Sequence, residues 1–360
     1  MIPTVERNAE DGDDIVHVRA YRSLRQIAKD WQRFSNDALG RIQIPAEDKT
    51  RSFRQYPIEA DPPQHTAYRA LVQPAFNQPF DPAYAARIET LIDAMVSEVL
   101  ARGEVEVVEG FALPLQSRAL THLLGMPMEE ADLWIGWGLH AFRAETGYDL
   151  DRARRLVDYI ADRLERAPQE WPDSLFAQLR TATLDGVPLP RDMQMGFAHL
   201  VFAGGRDTVI RLIAGGIAYL AQRPEALARL KAEPALAHGL TEELVRFLSP
   251  LPYLGRICTR PTDIDGVPVA EGQRVALCFG AANRDPEVFA DADRIVMDRS
   301  PNPHVGFGSG PHSCLGAAHA RLLSRRVLQT LARRVARLEA IGAVPPDLHV
   351  DSLRVRFHDA

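Results

Sequence analysis

No run of apolar residues in this chain is long enough to cross a bilayer. The acidic opening, Met1 to Asp14, also lacks the apolar segment of a signal peptide or membrane anchor. Cysteine is scarce: Cys258, Cys278 and Cys314 are odd in number and widely spaced, which argues against both a disulfide framework and a zinc site. A formal net charge of −6 with interspersed signs leaves no basic footprint for nucleic acid. No Gly/Ser linker, charged linker or internal repeat divides the 360 residues, so the chain reads as one unit, with residues 1–14 as a flexible tail. Missing too are a Gly-x-Gly-x-x-Gly fingerprint and any cysteine cluster, so neither a flavin module nor an iron–sulfur module is encoded. What these absences leave is the expectation of a cytosolic protein with no membrane segment and, at 46% hydrophobic residues, enough apolar material for a substantial core.

One stretch organises the rest: His304-Val-Gly-Phe-Gly-Ser-Gly-Pro-His-Ser-Cys-Leu-Gly316, which runs into an apolar helix expected from about Leu315 to Leu338. Its glycines let the backbone fold tightly beneath a bound group. Cys314 sits where the loop becomes a helix, so free N–H groups and the positive end of the helix dipole favour thiolate over thiol. Such a thiolate is a metal ligand or a nucleophile. A lone cysteine after a turn is more often a small buried hydrophobe, and Cys258 and Cys278, in strand-like runs, are read that way.

The spacing sets Cys314 apart. Phe307-Gly308-x-Gly310-x-His312-x-Cys314-x-Gly316 matches every fixed position of the haem-binding loop of the cytochrome P-450 family, and the chain resembles that family from about residue 15 to 357. The resemblance implies a mainly α-helical fold with a small β-rich portion. It also implies haem b as cofactor, with Cys314 as the axial thiolate of its iron.

Other segments extend the likeness. Asp61 to Arg69 opens a helix, with Asp61 as its cap and His65 and Arg69 one turn apart; it is similar to the family helix that holds the haem propionates. Arg256 and His312 match further propionate positions. Asp192 to about Ala221 reads as a long helix interrupted at Ala203-Gly-Gly-Arg-Asp-Thr208, where adjacent glycines weaken the helix and allow it to widen. At about 100° per residue, Phe197, Leu200, Val201, Gly204 and Thr208 share one face, while Arg206 points away, towards an ion pair with Asp207. Asp207 and Thr208 match the acid–alcohol pair that the family uses in oxygen activation. Glu243, Arg246 and Arg299 correspond to a buried scaffold network behind the haem. Phe53, Tyr56, Tyr253, Leu251 and Leu254 complete the candidate pocket, and Trp134 to Tyr148 resembles the family's lid.

By this resemblance the protein is a monooxygenase that inserts one oxygen atom of O2 into a small, largely apolar organic substrate. Electrons come from a separate donor, a ferredoxin with its reductase, for which Arg321, Arg325 and Arg326 offer a basic landing site or else a solvated helix face. Two alternatives stand beside it: a peroxide-driven peroxygenase or haem-thiolate isomerase or dehydratase, and a haem sensor without turnover.

Overall fold

Apolar residues at helical spacing make most of this chain helical, and the longest helices pack face to face around one large core. The computed structural model describes residues 3–7, 12–48, 51–139, 143–144 and 147–359. Pro82–Arg102, Leu113–Leu124, Leu150–Glu170, Arg191–Gly205, Asp207–Gln222, Leu236–Leu248 and Ala317–Arg334 are the helices that build that core. No helix among the described residues is long and apolar enough to cross a membrane.

The β portion is small. Its main sheet runs Thr4–Arg7, Asp14–Val18, Arg274–Leu277, Leu254–Cys258 and Phe34–Ser35, and it covers a second core of Val16, Leu24, Val275 and Leu277. Part of the expected flexible tail is thus ordered, because Thr4–Arg7 pairs antiparallel with Asp14–Val18. The hairpin Thr262–Ile264 to Val267–Val269 turns at Asp265 and Gly266, both at positive φ.

Two local expectations need correction, and a third lies partly outside the described residues. The helix after the cysteine loop stops at Arg334, short of Leu338, because Val335–Ile341 pairs as a strand with Arg354–Asp359. Asp61 does not cap the following helix, Gln64–Asn77; its carboxylate takes the Asn36 N–H at 2.9 Å and the Ser35 hydroxyl instead. Of the expected lid, Trp134 lies in the helix Glu129–Gly136, but residues 140–142 and 145–146 fall outside the described residues.

The expected interruption of the long helix is present. Arg191–Gly205 ends, Arg206 departs from helical geometry at φ −97° and ψ −69°, and Asp207–Gln222 begins with the Ile210 N–H on the Arg206 carbonyl at 3.2 Å. Earlier in the first of these helices, Gly196 lies so close to the 51–60 loop that a Cβ there would overlap the Arg54 carbonyl. That loop is held from behind by Arg51, buried between Glu47 at 3.2 Å and Glu59 at 2.9 Å.

Candidate functional site

The cysteine loop is shaped by its own backbone. Gly308 and Gly310 both take positive φ, 73° and 75°, and a Cβ on Gly310 would crowd the Ala28 carbonyl at 2.5 Å. The Cys314 N–H returns to the Phe307 carbonyl at 2.8 Å, closing the loop under the start of Ala317–Arg334. Cys314 lies deep in the protein, yet its side chain is open because it faces an internal cavity. Burial pushes its thiol up, against the Gly316 N–H and the nearby Arg69 and Arg321, which pull it down. Burial thus outweighs the Gly316 N–H and the two arginines in the polypeptide alone, and a metal ion held by the sulfur would favour the thiolate.

The same cavity is also walled by the helix break: Gly204, Gly205 and Thr208 line it together with Phe197, Leu200 and Val201. The five residues expected to share a helix face do so. The Thr208 hydroxyl donates to the Gly204 carbonyl at 3.1 Å. Such carbonyls at a helix C-terminus have no intrahelical partner and accept side-chain donors readily. Arg206 turns away as expected and is buried; one terminal nitrogen donates to the Trp134 and Gly138 carbonyls at 2.8 and 2.6 Å, and the other lies 3.4 Å from Asp207.

Tyr56, Leu251 and Leu254 also line the cavity. Phe53 and Tyr253 do not. Phe53 is turned into the core, edge-on to His199 with ring centroids 5.3 Å apart. Tyr253 faces outward, at 36% exposure, beside His17. Sequence reasoning missed Val72 and Phe76 on the helix bearing His65 and Arg69, Leu120 and Leu123 on Leu113–Leu124, and Val209 next to Thr208, all of which line the cavity. Their helical apolar spacing is the same whether a face meets protein or cavity.

A ring of nitrogen donors marks one edge. His65, Arg69, Arg256 and His312 all line the cavity, and the two imidazoles stack at 4.3 Å. Arg69 donates to the Ser313 carbonyl at 2.8 Å, tying its helix to the cysteine loop. Arg256, fully enclosed, has the carbonyl of Gly255 at 2.7 Å; burial pushes it down to about 10, with Asp61 opposing. Both ring nitrogens of His312 are buried without a hydrogen-bond partner, and His65 is pushed down to about 4 by burial and then by Arg69. Orphaned buried donors are costly. A dianionic edge such as the two propionates of a haem would satisfy them, so the donor set fits that cofactor, with the open Cys314 sulfur facing the same space.

Behind the cysteine loop, Glu243 is wholly buried. Arg246 donates to its two oxygens at 2.8 Å each, and Arg299 Nε sits 3.0 Å from both. Arg246 also binds the carbonyls of Asn283 and Ala292 at 2.8 and 2.7 Å, so the three residues expected to form one network share a single knot. The basic landing site is less free than expected. Arg321 chelates Glu242 at 2.8 and 2.9 Å and lies 4.4 Å over the Phe307 ring, and Arg326 has Glu89 at 3.7 Å.

Known proteins place this architecture. The sequence model described as Cytochrome P450 matches residues 158–335. The cytochrome P450 monooxygenase PikC of Streptomyces venezuelae is 29% identical over 94% of this chain and 82% of its own length. Cyclomarin C epoxidase CymV of Salinispora arenicola is 32% identical over 91% of this chain and 85% of its own. A solved structure described as a carbohydrate active P450 superposes with a TM-score of 0.93 at 39% identity, covering 99% of this chain and 95% of that one. With the fold, the thiol-bearing loop and relatives of this closeness in agreement, the chain belongs to the cytochrome P450 family and is a haem b monooxygenase.

Proposed function

We propose that this enzyme inserts one oxygen atom of O2 into a small, largely apolar organic molecule held between Cys314 and the broken helix. In this reading the Cys314 sulfur would hold the iron, His65, Arg69, Arg256 and His312 would hold the propionates, and Phe307, Gly308 and Gly316 would shape the loop that carries the sulfur. When bound, the haem supplies the redox-active iron at which O2 is reduced and an oxygen atom transferred.

The observation that carries the reading is that Cys314 and the helix break at Gly204, Gly205 and Thr208 line one and the same cavity. Thr208 Oγ1 holds its proton against the Gly204 carbonyl inside the cavity. Asp207, one residue away with its side chain 23% exposed, would take protons from solvent and restore the one that Thr208 gives up. Tyr56, Phe197, Leu200, Val201, Leu251 and Leu254 exclude water and contact the substrate.

The apolar wall supports an apolar substrate. A sugar is the second reading, supported by the 39% identity to the structure described as a carbohydrate active P450. Titrating the purified holoenzyme with both classes for a spin-state shift separates them. Electrons would come from a ferredoxin and its reductase, docking near Arg325, for which no ion pair is found among the described residues. Turnover with peroxide alone, and none with ferredoxin, reductase and NADPH, would favour the peroxygenase. The ligand assignment is tested by Cys314→Ala, which should abolish the red-shifted Soret band of the reduced, CO-bound protein; persistence of that band would exclude Cys314.

A further inference from the structure

Four buried or cavity-edge groups from distant parts of the chain form one hydrogen-bonded chain beside the helix break. Tyr84 Oη lies 3.2 Å from His319 Nδ1, His319 Nε2 lies 3.3 Å from Gln116 Oε1, and Gln116 Nε2 donates to the Gly205 carbonyl at 2.7 Å. Tyr84, Gln116 and His319 are all nine-tenths or more buried.

The order of donors follows from the far end. A carbonyl only accepts, so Gln116 must turn its NH2 to Gly205 and its oxygen to His319. His319 must then donate from Nε2, which leaves Nδ1 with a lone pair and makes Tyr84 the donor to it. Each group has one role, and the imidazole has to be neutral. Burial pushes His319 down to about 4, in keeping with that requirement.

Gly205 is the last residue of its helix, lies one residue after the carbonyl that accepts from Thr208, and lines the cavity. We propose that Gln116, oriented by His319 and Tyr84, is a positioning residue for oxygen activation: it holds the Gly205 carbonyl outward and so keeps the helix open where Thr208 works. A polar strap costs desolvation at three buried groups, which a merely space-filling trio of apolar side chains would avoid. The expense makes sense if it fixes a backbone that would otherwise relax towards a continuous helix. His319 has a second attachment, because it sits on the helix that begins directly after the cysteine loop. The strap thereby ties the helix that follows the cysteine loop to the helix that ends at Gly205 through side chains.

The proposal rests on the reading of Thr208 given above, and its test keeps the two apart. Gln116→Leu, His319→Leu, His319→Gln and Thr208→Ala are compared as holoenzymes. Hydrogen exchange is followed at residues 203–210, and peroxide formed per NADPH is measured with the compound that gives the largest spin-state shift. Gln116→Leu and His319→Leu should speed exchange in that segment by about fivefold, the factor that one hydrogen bond of ordinary net strength represents. They should also raise the peroxide share, with the CO-bound spectrum and substrate affinity retained. His319→Gln keeps a donor facing Gln116 and an acceptor facing Tyr84, and should stay near wild type. Wild-type exchange in His319→Leu, or equal behaviour of His319→Leu and His319→Gln, overturns the proposal even if Gln116→Leu fails to fold. An unchanged peroxide share in Thr208→Ala counts against the Thr208 reading alone, and the exchange result still decides the strap.

Discussion

The Thr208 hydroxyl donates to the Gly204 carbonyl at 3.1 Å, across the point where one helix ends and the next begins. The bond parks a proton in the cavity without committing it, since a hydroxyl can exchange a carbonyl partner for another acceptor by rotating about one bond.

Thr208→Ala should therefore bind substrate and consume NADPH while product per NADPH falls severalfold and the missing electrons appear as hydrogen peroxide. Substrate affinity, read from the spin-state titration, should hold. An unchanged product ratio would make Thr208 an ordinary helix residue.

Arg256 is buried at the donor-rich edge of the cavity. A hydrogen bond from a charged group to a carboxylate is worth about 1.5–3 kcal/mol, so Arg256→Ala should weaken haem binding by roughly tenfold or more. Haem transfer to an excess of a haem-scavenging protein measures it; His312→Ala, removing the ring whose two nitrogens are buried without a partner, should act in the same direction.

Removing the Glu243 carboxylate should be among the most damaging changes outside the cavity. Burial alone would push this acid up, but Arg246, the Val296 N–H and Arg299 hold it below the usual carboxylate range. Glu243→Ala leaves the Arg246 charge enclosed without its counter-charge, at a cost of about 3–5 kcal/mol. Chemical denaturation should register that loss in full; Glu243→Gln should recover part of it, because the amide oxygen still accepts from Arg246.

Acid sensitivity should begin well above the carboxylate range. Burial pushes His199 down to about 3, with Arg51 adding to it, and His319 down to about 4. An unfolded histidine titrates near about 6.5. Between about pH 6.5 and 4 the unfolded chain therefore holds protons on these rings that the folded chain refuses, so stability falls as pH drops through that window. The denaturation midpoint, measured from pH 7 to 5, should decline, and His199→Gln, which cannot titrate, should flatten the slope. Glu242, held near about 2 by His304 and Arg321 against its burial, adds its own loss only at lower pH.

How much of this the chain discloses before folding depends on how local the cause is. The cysteine loop was legible because glycine is required at fixed steps from Cys314, as the positive φ of Gly308 and Gly310 bears out. The helix break was legible because adjacent glycines weaken a helix, although the same pairing at Gly215-Gly216 leaves its helix whole and serves close packing on Leu248 and Leu244. Residues whose role is set by a distant neighbour were not. Phe53 and Tyr253 looked alike as aromatic loop residues, yet one is drawn inward by His199 and the other left in solvent. Gln116 and His319 lie 203 positions apart and neither breaks the pattern of its own helix. The surroundings of Cys314 were legible only in part, because helix-start electrostatics can be read from order along the chain, whereas the burial that pushes its thiol up cannot.

The contact between Gly196 and the Arg54 carbonyl bears on how the substrate range could be altered. It fuses the 51–60 loop to the helix bearing Phe197, and Tyr56 on that loop lies 5.6 Å from the Phe197 ring. Substitutions at Tyr56 and Phe197 should accordingly show strong epistasis, since each reshapes the seat of the other. Leu254 stands on a strand of the main sheet, apart from that loop. Its effects should add to theirs, so a combinatorial library is best built as a saturated Tyr56–Phe197 pair crossed with independent single changes at Leu254.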